Sequence, residues 1–177
     1  GQINHLALMA TSLLAALLSL ALALFLTVVS NMPPKKWGRP GLVSHTHKFY
    51  VRSVGVTGAG LLLLLITGAI VTGTDTRLAC PDWPLCQGGE LFPANFTLSV
   101  AINLLHRLTV VVVAALIAGV ILQTRRCYRQ HPPLMRLATG LGLLFSLQVG
   151  VGALYVVVDL PELVRAAHVA LSAAIWG

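Results

Sequence analysis

His106 and His168 are imidazoles set inside strongly apolar sequence. A histidine within a membrane span is costly and points to function by default. His106 lies eight residues into the run that starts at Leu98, and His168 lies seven residues into the run that starts near Pro161. At a helical rise of about 1.5 Å per residue, both reach roughly 10–12 Å below the same surface if both runs enter from that side. Two imidazoles at one level on facing helices can grip a planar metal cofactor from both sides, and heme iron takes axial histidines. A helix–helix hydrogen bond is the competing explanation for any single intramembrane histidine. The matched pair favours a bis-His heme.

Arg107 follows His106, and Arg165 stands three residues before His168, hence on its helix face. Guanidinium pairs well with carboxylate, so both are candidates for heme propionates. Each could equally snorkel to lipid headgroups. His5, in Asn4-His5-Leu6-Ala7-Leu8, echoes His168-Val169-Ala170-Leu171. A third histidine has no place on an iron that already holds two. It serves a second heme whose other ligand is not in this chain, or it lies at a frayed end.

Between the His106 helix and the helix before it runs Cys80-Pro81-Asp82-Trp83-Pro84-Leu85-Cys86. Two prolines favour a tight ring closed by a disulfide. Two unpaired thiols or a metal site are the alternatives. A metal site wants about four ligands, and this loop has no other Cys or His. Cys127 is expected as a free thiol on the opposite, reducing side.

These residues need membrane helices to position them. The chain is 56% hydrophobic and 10% charged, with mean hydropathy +0.85. Five apolar runs approach the length of about 20 residues that a crossing takes. They are Ile3–Val29, Val54–Thr72, Leu98–Gln123, Leu137–Val158 and a last run from Pro161 to Gly177. The first has no basic n-region or cleavage site and so does not read as a signal peptide. Both ends look cut, and the chain is expected to be a piece of a longer polytopic protein. Lys35, Lys36, Arg39, Lys48 and Arg52 lie before the second run, and Arg125, Arg126, Arg129 and Arg136 lie between the third and fourth. All five acids, Asp75, Asp82, Glu90, Asp159 and Glu162, fall in or beside the other loops. The positive-inside rule then puts 31–53 and 124–136 in the cytoplasm and the cysteine loop outside. The net charge of +7 follows from this bias and from attraction to membrane lipid. With no basic soluble domain, no nucleic-acid partner is expected. His45 and His47 read as part of a solvated basic loop, since two ligands make a poor metal site.

The expected fold is all-α and polytopic: a transmembrane four-helix bundle with one additional N-terminal transmembrane helix. Residues 1–30 form that helix, which ends a preceding half-bundle. Residues 31–53 form a cytoplasmic connector. Residues 54–177 form the heme-binding four-helix half-domain, truncated in its last helix. A faint repeat runs through it: Thr67-Gly68-Ala69-Ile70-Val71 and Gln148-Val149-Gly150-Val151-Gly152-Ala153-Leu154 each precede a helix with a histidine. Small residues there allow close helix packing, or room for a flat macrocycle. No span holds an acid beyond Glu162 at the mouth of the last run, and no paired carboxylate or phosphate loop is present, so any chemistry must come from a cofactor.

Gly68 to Val71, Leu78 to Cys86, His106-Arg107, Gln148 to Leu154 and His168 together resemble the heme A synthase family. The likeness covers residues 54–177 well, and the cysteine loop is its most specific part. The resemblance implies an oxidoreductase of two similar four-helix halves that oxidises the C8 methyl of heme O to a formyl group, giving heme A for cytochrome oxidases. It implies heme b held by His106 and His168, with heme O and heme A handled in the other half, where His5 would be a ligand. It implies a bacterial plasma membrane setting and contacts with heme O synthase or cytochrome oxidase assembly factors. The family's catalytic half has a Glu three residues before its first His, where this chain has Asn103. The chain is therefore expected to be most of the carboxyl-terminal half, with its catalytic residues unknown. The alternative is a non-enzymatic membrane b-type cytochrome subunit for electron transfer.

Overall fold

The computed structural model describes residues 45–76, 79–130, 132–158, 168–172 and 175. These residues are all-α. Helix α1 spans His45–Gly73, α2 Leu98–Cys127 and α3 Pro132–Val157. A helical turn at 168–172 follows. The three long helices are each apolar and long enough to cross a membrane.

Local sequence sets the ends. Thr97 has extended backbone (φ −101, ψ 167) and its side chain accepts from the Val100 N–H, which caps α2. Arg125 and Arg126 in the last turn complement the negative end of the helix dipole. Pro132 and Pro133 open α3, where a missing N–H costs nothing. Beyond α1, Asp75 takes a left-handed conformation (φ 49), and the Thr76 N–H reaches back to the Val71 carbonyl at 3.2 Å.

Helix boundaries differ from those expected. Val54 was the expected start of the second span, yet α1 begins at His45, inside the expected connector 31–53. The expected loop 124–136 is mostly helix, since α2 runs to Cys127 and α3 starts at Pro132. Hydropathy measures the apolar stretch, but a helix continues beyond it wherever polar residues find partners. Gln123 donates to Ser53 at 3.1 Å. Thr124 uses its hydroxyl proton on the Val120 carbonyl, so the Tyr50 hydroxyl donates to Thr124 at 3.0 Å. Tyr50 also packs on Tyr128, with ring centroids 4.6 Å apart.

α1 packs on α2, and α2 on α3. Two separate apolar clusters form. The outer one joins Cys80, Cys86, Val100 and Leu104. The inner one centres on Val113, Ile117 and Phe145. Gly60 lets α2 approach, since a Cβ there would meet Leu116 at 3.2 Å and Val113 at 3.3 Å. Most of each span faces outward: between 11% and 28% of the spanning windows is buried. Such apolar exposure is stable only against lipid or further protein. Residues 1–44, including His5 and the expected first span, lie outside the described residues, as do Asp159 to Ala167 with Glu162 and Arg165.

Candidate functional site

His106 sits on α2 between the two apolar clusters, with Leu104 of the outer one and Val110 of the inner one to either side. Its ring lies against α1. A Cβ on Gly68 would meet His106 Cε1 at 3.2 Å, Nδ1 at 3.7 Å and Nε2 at 4.0 Å. The absence of a side chain at Gly68 thus makes the place for the imidazole. Thr67, 5% exposed, reaches the same ring: its Oγ1 is 3.1 Å from Nδ1.

His168 repeats the arrangement against α3. A Cβ on Gly152 would meet His168 Cε1 at 2.8 Å, Nδ1 at 3.4 Å and Nε2 at 3.6 Å. The same ring corner meets a glycine in both halves of the repeat. Gln148, one turn before Gly152, is buried and holds the 168–172 turn in place. Its Nε2 donates to the His168 carbonyl at 2.9 Å and to the Ser172 hydroxyl. Ser172 in turn donates to the His168 carbonyl at 2.8 Å. The Nδ1 of His168 is buried without a hydrogen-bond partner among the described residues.

Above the site lies the cysteine loop. Cys80 and Cys86 are joined by a disulfide, with Cα atoms 4.3 Å apart, and both are fully buried. Gly88 and Gly89 take positive φ (60 and 78), which lets Gln87 and Glu90 pair across a tight turn. The Asp82 carboxylate accepts from the Gly88 N–H at 2.7 Å. Arg107 fills the middle of this loop. Its NH2 donates to the Cys80 carbonyl at 2.6 Å. Its NH1 lies 2.6 Å from the Asp82 carbonyl, 3.3 Å from that of Pro84 and 2.5 Å from that of Leu85. Arg107 therefore holds the loop. Asn103, 5% exposed, donates its amide to the Thr76 carbonyl at 3.1 Å and ties α2 to the end of α1.

The donor set suits a macrocycle-bound iron. Among the described residues no group of three or more His, Cys, Asp and Glu gathers to hold a bare ion. The two imidazoles on glycine-backed faces, His106 and His168, are donors of the kind that a heme iron would take. Lys48, Arg52, Arg125, Arg126, Arg129 and Arg136 are all exposed at the opposite end of the helices from the disulfide loop. His5 and Arg165 lie outside the described residues, and the side chains of His45 and His47 are not described. Thr67, Gln148 and Ser172 carry contacts that sequence reasoning did not assign. The one available signal was a hydroxyl or amide inside each Gly-Ala run.

Residues 2–177 match the family model COX15-CtaA, described as cytochrome oxidase assembly protein. The chain is 30% identical over 163 residues to the heme A synthase of Geobacillus thermodenitrificans, covering 92% of this chain and 50% of that protein. It is 29% identical over 163 residues to the heme A synthase of Geobacillus kaustophilus, with the same coverage. A further heme A synthase, from Exiguobacterium sibiricum, is 34% identical over 113 residues, covering 63% of this chain and 38% of that protein. The chain spans about half the length of the two Geobacillus relatives.

Proposed function

The chain belongs to the cytochrome oxidase assembly protein family COX15-CtaA, and from that premise we propose that it forms most of one half of a heme A synthase. The whole enzyme would oxidise the C8 methyl of heme O to a formyl group. This half would hold a heme b between His106 and His168. The observation that carries the reading is the repeated geometry: each imidazole turns its Cε1 corner onto a glycine of the preceding Gly-Ala helix. A bound heme b supplies reversible one-electron chemistry.

The residues divide the remaining work. Gly68 and Gly152 set where the rings lie. Gln148 and Ser172 fix the backbone of His168. Arg107 places a positive charge beside His106 while it holds the disulfide loop over the outer edge. Arg165 is assigned to a propionate. The basic helix ends would face the cytoplasm and the disulfide loop the outside. Heme O synthase and oxidase assembly factors are the proposed partners. Asn103 favours a second reading, a b-type cytochrome subunit that only passes electrons. Its amide is engaged in joining α2 to Thr76, and a neutral amide cannot serve as a general base.

The test uses the full-length protein. Wild type should purify with a low-spin heme spectrum, and His106→Ala or His168→Ala should abolish that spectrum. An unchanged spectrum in the double variant would sink the ligand assignment. Extracted heme separates the two readings: conversion of heme O to heme A by wild type supports the synthase, and heme b alone supports the electron carrier.

A further inference from the structure

Thr67 stands one residue before Gly68, inside a membrane span and almost fully buried. Its hydroxyl makes two contacts: Oγ1 lies 3.0 Å from the Leu64 carbonyl and 3.1 Å from Nδ1 of His106. A threonine hydroxyl has one proton to donate. A carbonyl can only accept, so that proton belongs to the Leu64 bond. The contact with His106 is then a hydrogen bond only if Nδ1 carries the ring proton and donates it to Oγ1. In a neutral imidazole that leaves Nε2 as the nitrogen with a free lone pair. The nitrogen a metal takes is set by the hydrogen bond the other one makes.

We infer that Thr67 is a positioning residue for His106: it accepts the Nδ1 proton, fixes the ring tautomer and turns the Nε2 lone pair toward the metal. The role of Nε2 rests on the heme reading above, whereas the hydrogen bond does not. The repeat shows what its loss looks like. The residue before Gly152 is Val151, which has no hydroxyl. The Nδ1 of His168 is correspondingly buried without a partner among the described residues. Among the described residues the two histidines are thus unequal at Nδ1, which has a side-chain partner in His106 and none in His168. A partner on the outer ring nitrogen raises ligand basicity, and its loss typically lowers metal affinity about 10–100-fold.

Thr67→Val keeps the shape and removes the acceptor, and Thr67→Ser restores it. In the full-length protein, T67V should weaken heme retention at this site at least about tenfold. It should also move the heme midpoint potential to more positive values, because a less basic imidazole stabilises the ferric state less. T67S should recover both. Nitrogen-15 NMR of histidine-labelled, heme-free protein reads the tautomer directly: His106 should carry its proton on Nδ1 in wild type and shift toward Nε2 in T67V. An unchanged potential and an unchanged tautomer in T67V would overturn the inference. Wild type without any low-spin heme would overturn the heme reading instead. In that case the tautomer arm alone decides: a wild-type proton on Nε2 ends the role of Thr67, and one on Nδ1 that T67V moves upholds it.

Discussion

At the scale of single residues, Arg107 shows how a side chain's chemistry underdetermines its job. A guanidinium beside an intramembrane histidine suits a carboxylate, and a propionate was the natural expectation from the sequence. In the structure its two terminal nitrogens lie among four carbonyls of the Cys80–Cys86 loop. The reason is proximity: α2 leads away from the membrane surface where the loop folds back, and four carbonyls without ladder partners need a donor. Hydrogen bonds involving a charged group contribute about 1.5–3 kcal/mol each. Both sulfurs are fully buried, so a thiol reductant reaches them only when the loop opens. Arg107→Ala should therefore speed reduction of the disulfide by at least about tenfold, taking the loss of one such bond at about 1.5 kcal/mol. Timed alkylation of the full-length protein under mild reductant reads that rate. An unchanged rate would mean the carbonyl contacts do not hold the loop shut.

At the scale of helices, the recurring device is a bare glycine facing an imidazole. Filling it should cost in proportion to the gap. Gly152→Ala would bring a methyl to 2.8 Å from His168 Cε1, a distance at which something must shift, while Gly68→Ala would bring one to 3.2 Å from His106 Cε1. Overpacking of this kind costs about 1–3 kcal/mol. Gly150→Ala meets nothing within 4 Å and is the control on the same helix. Heme content per purified chain should fall in the order Gly150→Ala, Gly68→Ala, Gly152→Ala, with the first near wild type. Equal losses in all three would point to general helix damage instead. The glycines were legible as a repeat, because Gly-Ala recurs before each histidine helix. Their partners were not legible, because which face of α1 meets α2 depends on packing far apart in sequence. The spans were legible from hydropathy alone. Their ends were not, since α1 gains its first turns from Tyr50 and Ser53 meeting Thr124 and Gln123, seventy or more residues away.

At the scale of the whole molecule, the proposed reading carries two further assignments: which half of the proposed synthase this is, and which way it faces. For the first, Asn103 stands where the resembled family's catalytic half has a glutamate, and its amide is engaged in a structural bond to Thr76. Asn103→Ala in the full-length protein should then leave most heme A formation intact. His5→Ala should impair it, because His5 would ligate heme in the other half. The reverse pattern, read by chromatography of extracted heme, would mean the halves are exchanged. For the second, the exposed cations Lys48, Arg52, Arg125, Arg126, Arg129 and Arg136 all gather at one end, and the disulfide lies at the other. Cations flanking spans are retained on the cytoplasmic side, whereas disulfides persist on the oxidising side. Both rules give the same orientation from unrelated chemistry. Cys127 reports it directly: it is an exposed free thiol at the basic end of α2. A membrane-impermeant maleimide should therefore label Cys127 in inverted vesicles and leave it unlabelled in intact cells. Labelling in intact cells would turn the molecule over and place the disulfide loop on the reducing side, where its bond would not be expected to last.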